Sequence, residues 1–577
     1  MSVVAATATA RTAAVTATPR RPLGRVLADW FRRFGAPPSG RRVQGTGWVF
    51  ALGCAVGTAA SYWTVSHGTN LDYGDAMAHL TIARRILDGP NPGMQQLGTV
   101  WLPLPHLLLM PLTQNMLLFR TGIAGAILGT LCLGIASAAL FRTMAHLGFG
   151  AAGRVVGMAV LLANPSLLYA STTALTEPVL IAAITACIAG LTGWAVSRRR
   201  LSGGELAVFA GIPAAAGVLT RYEGWAMVAT GSAYVVVVVL RRGDGLRRAL
   251  VCASAFAAVP TVAIGWWLAY NTAWYGNPIE FLTGPYSAAA FTDRFEEQGQ
   301  LTTKGNPGLS LKVLGWALVE SDGLVVLVLA GLGLLLMTWR WGFDNRALAV
   351  WLGGTSSAFL LVSLVSGQHI MVNDVSLPTG SYNSRYVLSS VPWAALLCAY
   401  LVTFAVHAGA ALRRPARRWW RGVVAVGVAT AALTGVAAQN VWWSHDPTER
   451  MAVFEEGALG QRNFKAVKEV AAWLHDHYDG GGLLIDESAD KLAVAPVIAI
   501  DFDDIYDRAA GGLFYEALAA PERHVRWVVM HREQVTTYAT RTAIDLVTGA
   551  LATDPQFHAR YALVYAVANF GVYRRIE

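Results

Sequence analysis

Leu71–Pro111, LDYGDAMAHLTIARRILDGPNPGMQQLGTVWLPLPHLLLMP, lies between two long apolar runs. Runs of that length cross a bilayer, so the stretch between them is expected just outside one. It opens with Asp72, Asp75 and His79. Wound as a helix from Asp75 to Asp88, at about 100° per residue, it divides into two arcs. Ala76, Leu80, Ile82, Ala83, Ile86 and Leu87 make an apolar arc. Thr81, Arg84, Arg85 and Asp88 make a polar one, with Met77 among them. Asp75 and His79 fall on the apolar arc, beside Ile86. A helix whose charges merely face water would set them with the arginines. Ionisable groups on a buried face need partners or mark a site. A helix cap at Asp72 or Asp75, next to a half-buried histidine, is the simpler alternative.

The composition decides what kind of chain surrounds this stretch. Of 577 residues, 54% are hydrophobic and only 14% charged, with a mean hydropathy of +0.43. A soluble domain carries about 25% charged residues. Eleven apolar runs suit a polytopic membrane protein: 47–66, 116–141, 154–172, 176–197, 204–220, 224–240, 249–270, 313–338, 347–366, 385–407 and 421–440. The net charge of +9 is not gathered into one nucleic-acid-binding patch. Its arginines cluster at Arg198–Arg200, Arg241–Arg248, Arg340–Arg346 and Arg413–Arg421, after the fourth, sixth, eighth and tenth runs. Residues 1–46 hold eight arginines against one acid, Asp29, and read as a disordered tail on the same side. By the positive-inside rule that side is cytoplasmic, the N-terminus is in, the C-terminus is out, and the number of spans is odd. The five cysteines all fall in apolar runs, without disulfide or metal-type spacing.

Three segments are expected outside: the first loop, Asn271–Lys312 and Gly367–Ser384. After Trp442 the composition changes. Helical periodicity over Asn463–Tyr478, strand-like runs at Gly482–Asp486 and Val525–His531, a helix near Thr540–Ala552 and a closing hairpin (Tyr561–Ala566 with Phe570–Ile576) indicate a small α/β unit. The expected division is a tail (1–46), a transmembrane module (47–441) and an extracytoplasmic α/β domain (442–577). The last is expected to serve the acceptor rather than the donor.

Ionisable residues at membrane depth are functional candidates. Glu177 opens the fourth run, and Arg221 and Glu223 turn between the fifth and sixth. Glu320 and Asp322 lie in the eighth, Arg385 and Tyr386 open the tenth, and Arg120 opens the second. Each has a plain structural reading, as a first-turn helix acid, an interfacial pair or a snorkelling arginine. None of those explains why acids and arginines from separate elements meet at one level of the bilayer. Arginine forks bind phosphate, and a carboxylate takes a proton from an attacking hydroxyl.

Together these residues resemble the GT-C superfamily of integral-membrane glycosyltransferases, which use polyprenyl-phosphate sugars. Relatives include protein O-mannosyltransferases, the aminoarabinose transferase of lipid A and mycobacterial arabinosyltransferases. Asp72, Asp75 and His79 match the acidic motif of the first external loop, which in those enzymes also carries amphipathic helices. WLPLPHLLLMPL, with Pro103, Pro105 and His106, is similar to the proline-bearing stretch that follows it. LTEPVLIA is similar to the motif opening the fourth span, and LTRYEG to Thr-Arg-Pro-Glu-Gly with Tyr222 for proline. SRYVLSSVPW is similar to Arg-Tyr-Leu-x-Pro-x-x-Pro with Ser389 at the first proline position.

The resemblance implies inverting transfer of a sugar from a polyprenyl-phosphate donor to an extracytoplasmic hydroxyl acceptor, in a multi-pass plasma-membrane enzyme. Asp75 would be the general base and His79 would orient it. Asp72 would be the reserve base, with His106 beside the substrate. Arg221 and Arg385 would hold the phosphate. Glu177, Glu223 and Tyr386 would position sugar or arginines. Asp72, Asp75 and His79 leave a divalent ion open. No nucleotide-binding motif occurs, in keeping with a lipid-linked donor made elsewhere. A flippase or transporter of lipid-linked saccharides is the competing class, but it calls for a midplane site and internal repeats. A scaffold that binds cell-wall polymer leaves the arginines without a role.

The topology has a direct test. A reporter active only outside the cytoplasm is expected to work when fused after Thr113 or Glu577, and to fail after Arg200 or Arg242.

Overall fold

The computed structural model describes residues 43–576, apart from 197–201, 286, 298, 369–370, 377–379, 412–417, 490 and 535–543. Most of the N-terminal tail, the Arg198–Arg200 cluster and part of the Arg413–Arg421 cluster therefore lie outside the described residues.

Among the described residues nine helices are long and apolar enough to cross a bilayer, against the eleven expected: Thr46–Ser66, Ile123–His146, Glu177–Ala195, Glu223–Arg241, Leu246–Tyr275, Leu324–Trp341, Asn345–Ser366, Ser384–Ala410 and Trp419–Ser444. The other two runs are shorter or broken. The run 154–172 stops at Leu162, and a second helix, Pro165–Ala170, follows. Asn164 makes the break: its side chain accepts from Leu167 N at 2.8 Å, and Pro165 fills the first helical position. The run 204–220 becomes Gly203–Val218, with a π-helical turn at Ala207–Gly211. The run 313–338 is two helices, Pro307–Asp322 and Leu324–Trp341, parted at Gly323 with φ +88°.

The basic helix ends meet one another. Arg242 donates to the carbonyls of Trp194 and Ala195 at 2.9 and 2.8 Å, and Arg241 donates to that of Phe343 at 2.6 Å. Glu177 begins the helix that ends at Ala195, so it lies at the opposite end of the bundle.

Beyond the last span, helix Ala452–His477 begins eleven residues earlier than the periodicity suggested. Gly457 and Gly460 concealed that start, because glycine is a poor helix former. A five-stranded sheet follows: β1 (Leu483–Ile485), β2 (Ile505–Tyr506), β3 (Trp527–His531), β4 (Tyr561–Val567) and β5 (Phe570–Arg575), in the order β2-β1-β3-β5-β4. The first three are parallel, and β4 and β5 form the expected antiparallel hairpin. The two-residue β2 was too short to read from sequence.

One face of the sheet, with Leu483, Ile485, Trp527, Val529 and Val572, joins the same apolar core as Val467, Val470 and Leu474 of the Ala452–His477 helix and Leu80 of the first loop. The first-loop helix, Gly74–Arg85, thus lies between the membrane helices and the α/β segment. That position overturns the expected polar arc. Thr81, Met77 and Arg84 are buried. The Arg84 guanidinium lies over Phe119 and Phe502, at 5.2 and 5.3 Å, and pairs with Asp88 at 2.5 Å. Arg85 pairs with Glu487 and Asp507. A helix covered on both sides needs a partner for every charge it carries, and those of Arg85 come from the distant C-terminal segment.

The Ala452–His477 helix approaches the acidic stretch closely enough to require glycine. A Cβ on Gly460 would stand 2.2 Å from the backbone oxygen of Asp72. Gly460→Ala is therefore expected to lower stability by about 1–3 kcal/mol, read as a fall in melting temperature in detergent. Gly315→Ala, in a helix with nothing within 4 Å of the added methyl, is the control expected not to melt earlier.

Candidate active site

Four separate elements converge on Arg385. It lies in the 3-10 turn Ser384–Ser390, entered through Asn383 at φ 57°. Each of its three nitrogens meets a different carboxylate. Nε donates to Glu177 at 3.2 Å, Nη2 to Asp75 and Nη1 to Glu456. Glu177 opens its helix just before Pro178, and Glu223 opens Glu223–Arg241; both carboxylates suit the positive helix end. Arg221, in the turn before Glu223, links them. It donates to Glu223 at 3.0 Å, to Glu177 at 3.4 Å and to Thr176 Oγ1 at 3.2 Å. Its guanidinium stacks over the Tyr386 ring at 3.8 Å. Arg385 stands 5.1 Å from the Tyr73 ring and 5.2 Å from that of Tyr386.

The structure thus brings Asp75, Glu177, Arg221, Glu223, Arg385 and Tyr386 into one network, from stretches more than 300 residues apart. The side chain of Asp75 is 40% exposed, whereas those of Arg385 and Glu177 are 3% exposed. The one well-exposed acid of the network is bonded to its most buried arginine.

The remaining candidates lie elsewhere. His79 does not face Asp75. Its Nδ1 meets Nε2 of His106 at 2.8 Å, both rings are buried, and Trp101 packs beside His79 at 4.5 Å. One nitrogen of that contact carries a hydrogen and the other accepts it through its lone pair, so at most one of the two rings can be protonated. Burial pushes His79 down to about 3, helped by Arg385 and Arg221, and burial also pushes His106 well below its usual range. Asp72 is buried against Lys468 at 3.8 Å. Burial raises its carboxyl to about 6, with Lys468 opposing. Asp322 accepts from Ser390 Oγ at 2.5 Å, away from the arginines. Arg120 is exposed at the end of a short helix, Met116–Arg120.

The expected metal donors part company for the same reasons: Asp72 turns to Lys468, Asp75 to Arg385 and His79 to His106. They do not form a cation site. Among the described residues, the one carboxylate group with suitable spacing is Asp88, Asp501 and Asp503, with ligand atoms within 4.8 Å of one another; Asp501 and Asp503 are exposed.

Glu456 is a site residue without a sequence signal of its own, because the apolar periodicity of its helix is clear only from Asn463 onward. The available signal was Gly457 and Gly460, one turn apart, a spacing that lets backbones approach closely. The Tyr73 hydroxyl also donates to the carbonyl of Val453, and Lys468 donates to that of Leu71 at 2.7 Å. The C-terminal helix therefore grips the acidic stretch on both sides of Glu456.

No family model and no curated protein matches the sequence. The fold does match solved structures. ArnT from Cupriavidus metallidurans bound to undecaprenyl phosphate is similar at a TM-score of 0.52 and 15% identity, over 92% of this chain and 98% of that one. The oligosaccharyltransferase of Archaeoglobus fulgidus, in complex with zinc and sulfate, gives a TM-score of 0.44 at 11% identity, over 83% of this chain and 68% of that one. Nothing rests on the second, looser likeness. At 15% identity the likeness to ArnT is one of fold, and it extends over nearly the whole of both chains.

The histidine pair sets a pH dependence. Its folded-state values lie below the unfolded value of 6.5, so the unfolded chain takes up protons first as pH falls. Stability is expected to drop once the pH goes below 6.5 and to keep dropping towards about 3, the value of folded His79. His79→Gln is expected to flatten that acid limb in melting curves.

Proposed function

We propose that this protein is a membrane glycosyltransferase that moves a sugar from a polyprenyl-phosphate donor to an extracytoplasmic hydroxyl, with inversion. The observation that supports this best is the pairing of exposed Asp75 with buried Arg385, inside a network that also fixes Arg221. An arginine fork held rigid at the end of a helix bundle suits a lipid phosphate. A carboxylate open to solvent beside it suits an incoming hydroxyl. The neighbour of the same fold was solved with undecaprenyl phosphate bound. The network sits at the bundle end opposite the basic ends of three helices, which the positive-inside rule assigns to the cytoplasm. The reading is therefore of an extracytoplasmic site in a plasma-membrane protein, with residues 47–441 as the transmembrane module and 442–577 as an outer domain. A midplane transport site would lie deeper between the helices.

The chemistry is one displacement. The acceptor oxygen attacks the anomeric carbon of the sugar as its proton passes to Asp75. The bond from that carbon to the phosphate oxygen breaks on the opposite face, and polyprenyl phosphate leaves. Arg385 and Arg221 bind the phosphate and hold the charge that develops on the leaving oxygen. Glu177 and Glu223 hold the two arginines in place, and Tyr386 stacks under Arg221. His79 and His106 support the first-loop helix from behind and take no proton. Asp72 is tied to Lys468 and lies away from the acceptor. The scattered donors of Asp72, Asp75 and His79 do not suit a metal ion, and no step is routed through one.

Asp75→Asn keeps the shape of the side chain and removes the basic oxygen. Turnover is expected to fall about 100- to 10,000-fold, while donor still binds and the protein melts like wild type. Asp72→Asn is expected to do far less. Wild-type turnover in Asp75→Asn, with Asp72→Asn inactive, would move the base to Asp72.

A further inference from the structure

The network has an imbalance that the donor reading must meet. Asp75, Glu177, Glu223 and Glu456 are four carboxylates around two guanidinium groups. A phosphate added to that set would bring a further anion to an arginine already bonded through all three nitrogens. The partners of Arg385 are not equivalent. Glu177 is shared with Arg221 and buried to the same degree as Arg385. Asp75 and Glu456 sit on the two terminal nitrogens, Nη2 and Nη1, and their side chains are the more exposed, at 40% and 10%. While bonded to Arg385, Asp75 turns its Oδ2 oxygen to the guanidinium rather than to an incoming hydroxyl.

We infer that Asp75 and Glu456 hold the place of the donor phosphate on Arg385, and that donor binding displaces them. The inference rests on the donor reading given above. Phosphate takes the terminal nitrogens, because a planar fork meets two of its oxygens at once. Asp75 is thereby released beside the bound sugar as a free carboxylate. The base comes into action only when a donor is present, which protects the site from idle proton transfer. Glu456 is a positioning residue. It belongs to the Ala452–His477 helix, whose hold on the acidic stretch runs through Val453, Gly460 and Lys468. Losing its bond to Arg385 loosens the first turns of that helix, so the C-terminal segment registers whether donor is bound.

The test uses the full chain in detergent with polyprenyl phosphate alone as the probe. Glu456→Gln keeps the size of the side chain and removes the competing charge. It is expected to bind the probe about tenfold more tightly than wild type, since one charge-assisted hydrogen bond no longer competes. A merely structural Glu456 would give the opposite result, an earlier melt and weaker or equal binding, and that would overturn the inference. A second measurement needs no variant. Saturating wild type with the probe is expected to speed amide hydrogen exchange over residues 452–460, and unchanged or slower exchange there would also overturn it. Equal binding by both proteins removes the place-holding role and leaves the donor reading intact. Binding by neither removes both.

Discussion

Arg385 is bonded at once to the first long loop, to the start of a membrane helix and to the helix that follows the last span. A guanidinium almost without exposure is stable only if its charge is met on every side. The fold therefore has to deliver Asp75, Glu177 and Glu456 to one point together. Three acids share that one charge, so the loss of any one of them still leaves the guanidinium paired. The same requirement fixes Arg221, which shares Glu177 and is held by Glu223 and Tyr386. Stability and site geometry are here one constraint. The arginines are rigid because they are buried, and they were buried at the expense of four acids whose pull a ligand has to replace.

The second linkage runs between the first loop and the C-terminal segment. Arg85 reaches Glu487 and Asp507, Lys468 reaches Leu71 and Asp72, and Tyr73 reaches Val453. The sheet adds an apolar face that belongs to the same core as the loop helix. Loop and segment are hundreds of residues apart in the chain, yet neither has all its charges paired without the other. The acid on Nη1 of Arg385 comes from beyond the last span.

The parts legible in the sequence were those written in composition and local pattern. The membrane class followed from recurring apolar runs, the hairpin from two β-rich runs, and the convergence of Glu177, Arg221, Glu223 and Arg385 from their common level at the ends of runs. What was not legible depends on contacts between distant segments. Arg84 reads as solvated because the two rings it lies over, Phe119 and Phe502, meet only in the folded chain. His79 looked like a partner for Asp75 because both lie on one helix, one turn apart, but His106 approaches from outside that helix and takes it. Glu456 was hidden by two glycines that weaken helix propensity and that are there for close packing. Periodicity reports the face a residue occupies and is silent on what lies opposite.

The proposed sugar transfer at the Arg385 network is measured by incubating the purified protein with a panel of polyprenyl-phosphate sugars and hydroxyl acceptors and following released polyprenyl phosphate. Release from at least one donor is expected, matched mole for mole by glycosylated acceptor of inverted anomeric configuration. Intact donors throughout, together with movement of a lipid-linked saccharide across proteoliposomes containing the same protein, would contradict it.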